Sequence, residues 1–79
     1  MIFTSKTIHI NPKKLLKTKW TAVTPCNKEK HFIVIKLIEP IQPTLAIEWV
    51  TLEAVHSKRT QIVAWRALTD STVWLQGWQ

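Results

Sequence analysis

The sequence predicts a small, mainly β domain: an antiparallel barrel or strongly curved sheet of four to five strands with a short C-terminal helical turn. Three observations carry that expectation. Apolar and polar residues alternate over several short segments, the period of a half-buried strand. Those segments are separated by Pro-Cys-Asn, Pro-Ile-Gln-Pro and Ser-Lys-Arg-Thr clusters, which read as turns. The chain has 79 residues, 46% of them hydrophobic, room for one modest core and one domain.

Taken in order, residues 1–10 read as an N-terminal extension and residues 11–79 as the single domain. Asn11-Pro12 is a helix-start signal, an Asx cap followed by proline at the first helical position. Lys13 and Lys14 would then sit in a first turn whose dipole disfavours cations, so the turn must be very short or the lysines serve a partner. Across residues 16–23, Leu16, Thr18, Trp20 and Ala22 alternate with Lys17, Lys19 and Thr21, a first strand with Trp20 inward and the lysines outward. Residues 31–38 form an isoleucine-rich second strand, 45–55 a third and 61–68 a fourth.

The hydrophobic pattern selects a register. With His56 opposite Gln61, Ala54 faces Val63, Leu52 faces Trp65 and Val50 faces Ala67. With Ile38 opposite Leu45, Ile33 faces Val50 and Leu37 faces Ala46. The expected core face is therefore Ile33, Ile35, Leu37, Ala46, Val50, Leu52, Ala54, Val63, Trp65 and Ala67, with Glu48 its one misfit. Arg66 lies diagonal to Glu53 as a surface pair. The second face collects Phe32, Val34, Lys36, Ile47, Trp49, Thr51, Glu53, Val55, Ile62, Ala64 and Arg66, too apolar for a solvated face. It is covered by the chain itself (the Ile8/Ile10 segment, the first strand or the C-terminus) or by a partner. Asp70 or Thr69 caps a helical turn over residues 71–75, and Gly77 supplies a left-handed closing residue. Trp74 and Trp78, four apart, then point one way as a plug or as interface anchors. The whole is similar to an SH3-like roll.

Charge adds a functional expectation. The net charge is +6, all of it in the first half. Residues 1–39 hold eight lysines against Glu29 and Glu39, whereas Lys58, Arg59 and Arg66 balance Glu48, Glu53 and Asp70 in residues 40–79. Such asymmetry points to an anionic partner, and Lys13, Lys14, Lys17 and Lys19 form the expected basic patch. An acidic protein or complex is the first expectation, single-stranded nucleic acid the second, and self-association through the second face a further route. Phe32 and Trp49 with Lys36, Arg66, Lys58 and Arg59 supply the aromatics and cations that a strand-binding sheet needs. Together with Trp74 and Trp78 these are the candidate binding residues.

Catalysis is not expected. Cys26 with His31 or His56 lacks the oriented base and electropositive pocket of a reactive thiol. Glu48 and Glu53 differ by five and point to opposite faces of one strand. His9, Cys26, His31 and His56 show no metal-ligand spacing, a single glycine rules out a glycine-rich phosphate loop, and no cofactor is implied. No run of about 20 apolar residues is present, so no membrane span is expected. One cysteine and no apolar signal core place the chain in the cytoplasm.

The stretch Asn11-Pro12-Lys13-Lys14-Leu15-Leu16 followed by Lys19-Trp20-Thr21-Ala22-Val23 resembles the opening of a small tryptophan-rich family of cyanobacteria and some proteobacteria. Glu29-Lys30-His31-Phe32, Leu52-Glu53-Ala54-Val55, Lys58-Arg59, Trp65-Arg66, Leu68, Asp70, Trp74 and Gly77-Trp78 continue the resemblance over residues 11–79. It implies no catalytic residue, because that family has no accepted activity.

Overall fold

The computed structural model describes residues 11–42 and 44–79. The expected N-terminal extension, its Ile8/Ile10 segment and Pro43 lie outside the described residues. A 3₁₀ turn at Pro12–Lys14 precedes β1 (Lys19–Cys26), β2 (Glu29–Ile38), β3 (Trp49–Ala54) and β4 (Thr60–Ala64); a second 3₁₀ segment, Trp65–Thr69, leads to β5 (Trp74–Gln76). The five strands form one antiparallel sheet in the order β4-β3-β2-β1-β5. Its edges, β4 and β5, do not pair, so of the two expected forms, barrel or curved sheet of four to five strands, the closed barrel does not form and one open five-stranded sheet does.

Local chemistry explains the start. Asn11 Oδ1 accepts from the Lys13 amide at 3.0 Å, and proline stands at the first helical position. The turn is only three residues long, so Lys13 and Lys14 meet little aligned dipole. It ends on Leu15, buried against the sheet. The β1–β2 hairpin closes through Asn27-Lys28 at φ 55° and 62°, the left-handed pair of a two-residue hairpin turn. Lys17 and Lys58 are also left-handed, at φ 71° and 67°. Such a conformation costs a residue with a Cβ roughly 1–2 kcal/mol. Asparagine tolerates it through local hydrogen bonding, but lysine has no such compensation.

The core lies on one face of the sheet. Trp20, Phe32, Val34, Val50, Leu52, Ala54 and Trp74 project from the strands, and Leu15 and Leu68 close over them from the two 3₁₀ segments. Trp20 is inward and Lys17 and Lys19 are exposed, as the alternation predicts, but Leu16, expected inward, is exposed and Thr21, expected outward, is buried under the C-terminal residues.

The expected β2 register is corrected. Val34 faces Leu52 and then Lys36 faces Thr51, so Ile35 is an extra residue, a β-bulge. The bulge turns Phe32 and Val34 inward along with Leu37, and Ile33 and Ile35 leave the core. A period of two cannot register an inserted residue.

β4 is corrected as well. Val50 faces Val63 and Leu52 faces Gln61, not Trp65, because the loop closes between Ala54 and Arg59. Lys58 donates its amide to the Ala54 carbonyl at 2.8 Å, and the Ala54 amide donates to Arg59 at 2.8 Å. β4 therefore ends at Ala64. The Trp65 amide bonds the Glu48 carbonyl at 3.0 Å and its indole bonds the Ile47 carbonyl at 2.8 Å, starting the second 3₁₀ segment. Ala46 and Ala67, expected inside, are exposed, whereas Ile47 and Leu68 are buried.

At the C-terminus Asp70 does cap a turn, accepting from the Thr72 amide at 3.0 Å and the Thr72 hydroxyl at 2.6 Å. The expected helical turn does not continue through residue 75, because Trp74 pairs with Ala22 and Leu75 with Thr21 in the sheet. Gly77 is left-handed as expected, at φ 79°, but it ends a strand.

Candidate functional site

Pairing and alternation leave a second sheet face formed by Lys19, His31, Ile33, Lys36, Ile38, Trp49, Thr51, Glu53 and Ile62. Trp49, between Ile38 and Ala64, is 49% exposed and Ile62 is 62% exposed. Lys36 stands exposed opposite Thr51. The C-terminal residues fold over the other end of this face. Buried Thr21 donates its hydroxyl to the Gly77 carbonyl at 2.7 Å and accepts from the Gln79 amide at 2.9 Å. Trp78 is thereby laid flat: its indole donates to the Phe32 carbonyl at 2.9 Å, Lys19 Nζ sits 4.8 Å from its ring centre, and the His31 ring is 5.8 Å away. Trp78 stays 43% exposed. Phe32 and Ile38 are six residues apart on β2, so Trp78 and Trp49 stand about 20 Å from each other at strand spacing.

The candidate binding residues are thus dispersed. Phe32 and Trp74 are not on this surface; they meet edge-to-face at 5.1 Å inside the core. Trp74 and Trp78 occupy opposite faces, because β5 ends at Gln76 and left-handed Gly77, held by Thr21, turns the chain before Trp78. Arg66 stacks on Trp65 at 5.1 Å and reaches Glu48 at 3.6 Å, not Glu53. Lys13 and Lys14 are exposed on the first 3₁₀ turn, and Lys17 precedes β1.

Arg59 has a structural partner that pattern reading missed. Its Nε and Nη2 donate to the two oxygens of Glu29, each at 2.9 Å, and Ser57 donates to the same carboxylate. Arg59 and then Ser57 hold the Glu29 carboxyl below its ordinary value of 4.5. The sign follows directly: a depressed native value adds stability above the unfolded value, lost as pH falls through the folded one. Glu29→Gln is therefore expected to lower the urea midpoint at pH 6, and its deficit relative to wild type should shrink toward pH 3. A deficit independent of pH would show that the pair contributes nothing through charge.

This ion pair closes one end of a cleft of ≈ 370 Å³ on the core face, lined by Ala22, Phe32, Val73 and Trp74 with Cys26 at its side. His31 is on the other sheet face, so Cys26 and His31 do not form a dyad. Among the described residues no three His, Cys, Asp or Glu side chains are grouped so as to hold a metal ion, and no helix is long and apolar enough to cross a membrane.

Fold and surface together define a class: a small open antiparallel sheet, capped on one face by 3₁₀ segments, with tryptophans in its core and others left on the opposite face. The chain belongs to the tryptophan-rich protein family DUF2389, whose model matches residues 18–79. No curated protein and no solved structure matches it. The tryptophan richness has a physical division of labour: Trp20 and Trp74 fill the core, Trp65 pins the second 3₁₀ segment, and Trp49 and Trp78 remain partly exposed.

Proposed function

We propose that this protein is a non-catalytic binding module that docks an acidic protein or complex on its second sheet face, with the cytoplasm as its setting. The observation that carries this reading is the pair Trp49 and Trp78, each nearly half exposed at opposite ends of a face that also offers Ile62. Rigid, partly exposed tryptophans are the residues that dominate protein interfaces. Lys19 and Lys36 on the same face, within a chain of net charge +6, favour an acidic partner. The nucleic-acid reading has weaker support. Phe32 and Trp74 are core residues, and two tryptophans about 20 Å apart do not make a continuous stack for neighbouring bases.

The test is recovery of one specific acidic protein with the tagged chain from native cells. Trp49→Ala and Trp78→Ala are each expected to weaken that complex by about 2 kcal/mol or more while the domain stays folded. Recovery unchanged in both variants would remove this face as the docking surface. Binding to single-stranded DNA that falls steeply with salt and with Trp49→Ala would favour the second reading instead.

A further inference from the structure

We infer that the β1–β2 and β3–β4 turns together form a binding site for a run of adjacent oxyanions of the polyphosphate type, a site that goes beyond the docking face proposed above and borders it at His31. The two turns enclose a concavity of ≈ 340 Å³ lined by Lys28, Lys30, His31, Val55 and His56. The titratable side chains that line it are all basic. Glu29, the nearest carboxylate along the chain, does not line it and is bonded to Arg59 and Ser57, although its charge also acts on His56. Lys28, Lys30 and His56 bring two ammonium groups and an imidazole to one opening, while His31 Nε2 is already paired with the Gln79 carbonyl at 3.0 Å. Two adjacent ammonium groups match several anionic oxygens and not a lone one.

The backbone supplies an independent reason. Lys28 holds the second position of a two-residue hairpin turn at φ 62°, where glycine relieves the strain. Lysine is less favourable there than glycine, a cost that Lys17 and Lys58 share, and at Lys28 it sets an ammonium group at the edge of the concavity. No exposed aromatic lines the concavity, so the ligand is read through charge and not through bases.

Inorganic tripolyphosphate is the probe, titrated calorimetrically into the full chain at low salt, with amide shifts locating the site. Lys28→Gly is expected to raise the melting temperature yet weaken tripolyphosphate binding about tenfold, the loss of one charge-assisted contact. Lys17→Gly is the control, since Lys17 is equally strained at φ 71° but lies outside the concavity. It should raise the melting temperature and leave binding within about twofold. Equal weakening in both variants would mean diffuse attraction and overturn the site, as would no binding at all. An oligothymidylate of matched charge that binds far more tightly, and loses this on Trp78→Ala, would reassign the ligand to nucleic acid and overturn the base-free assignment. These outcomes do not depend on whether Trp49 contacts a protein partner.

Discussion

Trp20→Ala is expected to unfold the domain, or nearly so. Trp20 is fully buried, it pairs with Phe32 on β2 and Gln76 on β5, and its indole donates to the Thr18 hydroxyl at 2.9 Å. Truncating such a residue costs about 3–5 kcal/mol, from lost transfer energy and from the cavity left behind. Single domains have only about 5–15 kcal/mol in total, and small ones sit near the low end. The loss should appear as a collapse of the urea midpoint and of amide dispersion. Trp49→Ala removes the same side chain type from the second face and should stay within about 0.5 kcal/mol of wild type. Equal losses in the two variants would mean that the core face has been misassigned.

The second large effect separates the observed register from the one that alternation alone suggests. Leu68→Ala should cost about 2–5 kcal/mol, because Leu68 is fully buried where the second 3₁₀ segment folds back over the core. Ala67→Leu should be tolerated within about 0.5 kcal/mol, since Ala67 is exposed. A fourth strand running to residue 68 reverses both results. Ala67 would then face inward and be overpacked by leucine at about 1–3 kcal/mol, and Leu68 would be dispensable. Equilibrium unfolding of the two variants decides between the registers.

The candidate surface was only partly legible. Trp49 and Lys36 fall on the second face by simple alternation, and the structure keeps them there. Pattern alone places Arg59 among the free cations, because its partner, Glu29, is 30 residues away. Helical spacing pairs Trp78 with Trp74. Trp78 reaches the opposite face because Thr21, on another strand, binds Gly77 and Gln79. The strained lysines were invisible as such, since nothing in the order of residues announces a positive φ at Lys28.

Strand character, the inward setting of Trp20, the Asn11-Pro12 start, the Asp70 cap and the left-handed Gly77 were determined by the sequence itself. Each rests on side-chain chemistry that acts within a few residues: alternation, an Asx hydrogen bond, a missing Cβ. Register was decided in three dimensions. The Ile35 bulge, the end of β4 at Ala64 and the pairing of Trp74 with Ala22 each depend on contacts distant along the chain. Both faces of this sheet are apolar enough to tolerate either assignment, so local pattern had no energy gap with which to choose, and packing against Leu15, Leu68 and Trp65 supplied one.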